Sequence, residues 1–196
     1  MKPLIAATRA LSAVNSLLLA AGRTLGVLAI AAMVAATLLQ VFCRYVLGNA
    51  LPWPDEAARF CMLWMTGLMA PTAFRAGGFV AIDSLDALLP GMASRILQLV
   101  FLAISLIVLA VGLQIGWKEI TGIGGRFATA SLYVPVSLGF DQWHRVPRSW
   151  MMLSLVVGIV LLLLVNIELV LRRLAALMGQ EAALPPVPGA EIGGAE

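Results

Sequence analysis

The 196-residue chain has little charge: Asp, Glu, Lys and Arg together make up 12% of it, about half the share of a soluble globular domain. Hydrophobic residues make up 61%, and the mean hydropathy is +0.98. That imbalance excludes an ordinary soluble fold and points to an integral membrane protein in a lipid bilayer. There is a single histidine, His144, which argues against a membrane haem held by paired axial histidines. The two cysteines, Cys43 and Cys61, show no metal-ligand spacing. They read as small buried hydrophobes, with a disulfide between them as the alternative. No spacing of Ser, Cys and His resembles a nucleophile constellation, so neither an enzyme nor a cofactor is expected. The net charge of +3 and pI of about 9.3 are ordinary for basic flanks and do not suggest nucleic acid.

What is present is a set of long apolar runs. Four segments are expected to span, at about 25–43, 54–74, 96–117 and 150–171. Each is long enough to cross roughly 30 Å of hydrocarbon at about 1.5 Å per residue. Helix is the expected form, because lipid satisfies no open backbone groups and the runs lack the alternation of a barrel. The fold class is therefore all-α: a four-helix transmembrane domain over 23–174, preceded by an N-terminal amphipathic, interfacial helix over 1–22. Arg9, Asn15 and Arg23 break the apolar core that a cleaved signal needs. The segment is read instead as lying along the interface or as extending the first span. Residues 118–148 form a long polar connection, with Trp143 and Trp150 as interface anchors. Residues 179–196, rich in Pro and Gly, are expected to be a disordered cytoplasmic tail. Charge bias is weak. Arg23 and the Arg172–Arg173 pair flank spans closely and favour cytoplasmic termini.

The densest charge lies in RYVLGNALPWPDEAAR, residues 44–59. Pro54 suits a first helical turn. Asp55 and Glu56 then meet the positive end of the helix dipole, and Arg59 falls four and three residues after them, on the same face. Arg59 is roughly 8 Å into the helix, where an arginine can still reach the interface. The cluster thus reads either as an anchor for a helix end or as a patch that docks a partner. Pro71 removes one backbone hydrogen bond and should kink the second span near Gly67. Arg75 closes that span, and Gly77-Gly78 permits a turn before Asp83. No acidic residue lies mid-span. Glu168, placed about a turn from its helix end, is the nearest, so the embedded carboxylate of a proton- or cation-coupled transporter is missing. No broken helix pair or internal repeat is visible either.

The run from Arg44 to Asp83 resembles the small membrane subunit of TRAP (tripartite ATP-independent periplasmic) transporters, the DctQ-like family. The resemblance is carried by Arg44-Tyr45, Trp53, Asp55-Glu56, Ala58-Arg59, Trp64, Arg75 with Gly77-Gly78, and Asp83, in order on a four-span chain. It departs in the glycine turn, where Phe79 and Ala81 stand in place of a His and a basic residue. Either Val134-Pro135 or Val146-Pro147 matches the Pro before the last span. The resemblance implies a non-catalytic subunit in a bacterial inner membrane. It would brace a large membrane subunit during sodium-coupled uptake of an organic acid delivered by a periplasmic binding protein. Arg44, Tyr45, Trp53, Asp55, Glu56, Arg59, Trp64, Arg75 and Asp83 are the candidate subunit-interface or structural residues. The alternatives are a self-sufficient homo-oligomeric transporter or channel and, disfavoured by the lone histidine, a redox-enzyme anchor.

Overall fold

A computed structural model describes residues 2–77, 91–135, 143–178 and 184. Its elements are α1 (Lys2–Tyr45), α2 (Trp53–Arg75), α3 (Gly91–Thr121), α4 (Ile123–Arg126), β1 (Ala128–Pro135), β2 (Trp143–Pro147) and α5 (Ser149–Leu177). Asp83 and the glycine turn beyond Gly77 lie outside the described residues. So does the C-terminal tail, apart from residue 184.

Among the described residues, three helices are long and apolar enough to cross a membrane: Leu4–Tyr45, Met92–Thr121 and Ser149–Leu177. The second expected span, α2, also has sufficient length at 23 residues. It is less apolar because Asp55, Glu56, Arg59 and Arg75 stand near its ends. α1 is one continuous helix of 44 residues, about 66 Å at 1.5 Å per residue. No separate N-terminal helix is set off. The third and fourth apolar segments also exceed their expected limits, as α3 and α5 have 31 and 29 residues.

Local chemistry sets the ends. After α1, Gly48 takes φ +65°, where a side chain would be strained. The Asn49 amide then donates to the Cys43 carbonyl at 3.0 Å, satisfying one of the acceptors a helix end leaves open. Pro54 starts α2 and is buried. Pro71 lies within α2 without interrupting it and is also buried.

The contacts divide into two units, each described by itself. The first comprises Met1–Gly22, Met69–Gly112 and Ile159–Glu196. Its core holds Leu19, Leu102, Val165 and Ala175 together with an unusual set of buried polar residues. The second comprises Arg23–Leu68 and Leu113–Gly158. There α2 and α5 approach so closely that backbone meets backbone. A Cβ on Gly67 would lie 2.4 Å from the Ser154 carbonyl oxygen, and one on Gly158 would lie 2.9 Å from the Gly67 Cα. Ser154 and Gly158, four residues apart, form a small-residue stripe of the kind that lets membrane helices associate by packing alone. A Cβ on Gly116 of α3 would similarly come within 2.8 Å of Val156.

The connection over 118–148 contains a feature the sequence reading lacked, a β-hairpin. β1 pairs antiparallel with β2, with Tyr133 opposite Arg145, Val134 opposite His144 and Pro135 opposite Trp143. An irregularity follows between Ala128 and Tyr133. β1 advances five residues there while β2 advances two, so part of β1 bulges out of the ladder. Thr129 Oγ1 closes the bulge by donating to the Val146 carbonyl at 2.7 Å. Large apolar side chains on α1 and α3 remain exposed, among them Leu17, Leu28, Leu38, Ile107 and Val108, as lipid-facing or partner-facing surfaces require.

Candidate functional site

In the first unit, α1, α2 and α5 bring six polar side chains together. Glu168 is fully buried. Its Oε1 accepts from Arg75 Nη2 at 2.8 Å and from Arg172 Nε at 2.9 Å. Its Oε2 accepts from Asn15 Nδ2 at 2.7 Å. Asn15 also donates to the Leu164 carbonyl at 3.2 Å. Arg75 reaches α1 three more times: Nη2 donates to the Ser12 carbonyl and hydroxyl at 3.1 and 3.0 Å, and Nη1 donates to the Ser16 hydroxyl at 2.9 Å. Arg172 Nη2 donates to the same Ser12 hydroxyl at 2.9 Å.

Simple spacing produces this arrangement. Ser12, Asn15 and Ser16 sit at i, i+3 and i+4, one face of α1, and Glu168 and Arg172 sit at i, i+4 on α5. The Ser16 hydroxyl is itself oriented by donating to the Ser12 carbonyl at 2.8 Å. Burial makes the pairing obligatory, because an ion isolated from water costs several kcal/mol unless it is paired and hydrogen-bonded. The side chains of Arg75 and Glu168 are only 4% and 0% exposed. Arg75 Nε has no partner among the described residues, nor has either amide atom of the fully buried Asn166.

Glu168 therefore differs from its expected place near a helix end. α5 continues to Leu177, so the carboxylate lies nine residues inside the helix and is held by two guanidinium groups and an amide. Arg75 is likewise no ordinary flanking charge of a loop. The i, i+4 spacing of Glu168 and Arg172 was the signal available in the sequence. Nothing in sequence distance linked either to Asn15, 153 residues away.

In the second unit, Glu56 takes partners that the sequence reading did not give it. The bulge in β1 withdraws the Ala130 and Ser131 amides from the strand ladder. Glu56 takes both, Oε1 from Ala130 at 3.0 Å and Oε2 from Ser131 at 2.6 Å. The Ser131 hydroxyl lies 2.7 Å from Oε2 and 2.8 Å from the Pro52 carbonyl. Amides withdrawn from a ladder need other acceptors, and a carboxylate serves two at once. The first turn of α2 thus latches the hairpin.

The other expected residues do not join this latch. Asp55 and Arg59 are exposed, and the ion pairs seen among the described residues, at Glu168, include neither. Arg59 on the face of Asp55 and Glu56 is thus a matter of spacing, not of contact. Arg44 is exposed, with its guanidinium carbon 6.0 Å from the Tyr45 ring centroid, and Tyr45 is largely exposed. Trp53 is partly exposed at the start of α2. Trp64 is half-buried, 6.2 Å from the Phe60 ring, with its indole nitrogen unpartnered among the described residues. Cys43 and Cys61 are both free thiols, so the disulfide alternative is not realised.

Comparison with known proteins gives one match. The model of the tripartite ATP-independent periplasmic transporters, DctQ component, aligns with residues 33–176, well over half of the chain. No curated protein and no solved structure matches. The aligned range holds Glu56, Arg75, the hairpin, Glu168 and Arg172, and it excludes Ser12, Asn15 and Ser16. The chain belongs to the DctQ family, the small membrane component of the tripartite ATP-independent periplasmic transporters.

Proposed function

We propose that this subunit acts as a fixed, non-catalytic brace for the large membrane subunit. The transporter would carry out sodium-coupled uptake of an organic acid that a periplasmic binding protein delivers. α2 spans the membrane as well, which makes four spans in all. The chain lies in a bacterial inner membrane with both termini in the cytoplasm, following the basic residues Arg23, Arg172 and Arg173. The connection between α3 and α5, with its hairpin, then lies at the periplasmic surface.

One observation carries this reading. The buried carboxylate of Glu168 is held by Arg75, Arg172 and Asn15. A carboxylate that moves ions must exchange a proton or cation during the cycle, and this one is committed to joining three helices. Such a network resists relative motion of those helices, as a scaffold must. The exposed members of the Arg44–Arg59 cluster remain available to a partner chain.

Reconstitution tests the reading. In liposomes with the large subunit and binding protein, uptake should require this chain, and this chain alone should carry nothing. Arg59→Ala should lower co-purification with the large subunit, or uptake, while leaving the fold intact, because Arg59 forms no ion pair among the described residues. Solute flux through the purified chain by itself would overturn the reading in favour of a self-sufficient transporter.

A further inference from the structure

The Glu56 latch creates a cleft with no part in the reading above. It encloses about 500 Å³ and is lined by Trp53, Ser131, Leu132, Tyr133 and Trp143. Among the described residues its wall is formed mainly by three aromatic rings and a leucine, none of them charged. A small ionic solute would find little there to replace its water. Trp53, Tyr133 and Trp143 nevertheless stay 40%, 43% and 56% exposed.

Among the described residues, Arg145 stands beside this wall. Arg145 Nε donates to the Tyr133 hydroxyl at 2.7 Å, and the guanidinium carbon lies 5.2 Å from the Tyr133 ring centroid. The register fixes this contact, since Tyr133 and Arg145 are direct cross-strand partners. Arg145 is exposed, and its two terminal nitrogens take no partner among the described residues.

We propose that this cleft is a binding site for an anionic phospholipid. The start of an acyl chain lies against Trp53, Tyr133 and Trp143, and the phosphate accepts from the terminal nitrogens of Arg145. Aromatic rings with one polar edge favour the headgroup level of a bilayer. A guanidinium held by one nitrogen still presents a fork that matches phosphate oxygens. Charge complementarity selects this occupant over an apolar side chain of a partner protein, which would leave the guanidinium without a counter-ion. The proposal rests on the hairpin lying at a bilayer surface, on whichever side.

Native mass spectrometry of the full chain in detergent tests it, with phosphatidylglycerol and phosphatidylcholine of identical acyl chains as probes. Phosphatidylglycerol should be retained about fivefold more tightly, the factor that corresponds to about 1 kcal/mol for one basic residue facing an anionic headgroup. Arg145→Gln should abolish that preference and Arg145→Lys should keep part of it. The double variant Trp53→Ala/Trp143→Ala should weaken both lipids. Phosphatidylglycerol retention unchanged in Arg145→Gln would overturn the proposal. So would unchanged binding of both lipids in the double variant. Because transport is not measured, failure of the lipid site and failure of the bracing role give separate results.

Discussion

Replacing Glu168 with Gln tests the central physical claim most directly. The substitution keeps volume and one acceptor oxygen but removes the negative charge that Arg75 and Arg172 share. Arg75, with its side chain 4% exposed, would be left with only the neutral Ser12 and Ser16 oxygens. Breaking a buried pair by removing one partner costs about 3–5 kcal/mol. The lower end applies here, because the amide still accepts one hydrogen bond and the Arg172 side chain retains 11% exposure. A loss of about 3 kcal/mol is more than a hundredfold in the folding equilibrium. Unfolding of the purified subunit in mixed micelles, followed by circular dichroism, should show it. The double variant Arg75→Met/Glu168→Met should recover much of the loss, since removing both charges leaves no uncompensated ion. If Glu168→Gln unfolds with the wild type, or if the two single losses simply add, the network does not hold these helices together.

Two further perturbations follow from the second unit. Gly67→Ala places a Cβ 2.4 Å from the Ser154 carbonyl oxygen. That atom belongs to the backbone and cannot swing away, so the helices must separate, at a cost of about 1–3 kcal/mol, read as a lower midpoint in a thermal unfolding scan. Glu56→Ala removes the acceptor of the Ala130 and Ser131 amides. Their hydrogen exchange should accelerate about tenfold, as loss of roughly 1–2 kcal/mol of local stability implies, while exchange in α5 stays unchanged. Equal exchange in both proteins would remove the latch.

The two sites were legible to different degrees. The acidic pair and Pro54 marked the start of α2 from local rules alone, and α2 begins at Trp53. The same rules matched Asp55 and Glu56 with Arg59, because helical spacing is the only geometry a sequence displays. The carboxylate of Glu56 instead serves amides 74 and 75 residues away, exposed by a bulge that no nearby turn residues announced. Glu168 was visible as an acid in an apolar run. Its burial depended on α5 extending to Leu177 and on Arg75 arriving from another helix.

By itself, the sequence determined the class of molecule and most of its helices. Apolar runs of spanning length leave helix as the form that satisfies the backbone in lipid, and Pro and Gly punctuate the ends. The Arg44–Asp83 run carried enough of the family pattern for the resemblance to be seen there. Only the tertiary structure decided which polar groups meet. Low-dielectric surroundings force each buried charge to find a partner, but they do not say which one. Arg75, Glu168 and Asn15 were joined by the packing of three helices, and Glu56 was joined to Ser131 by a strand that left its ladder.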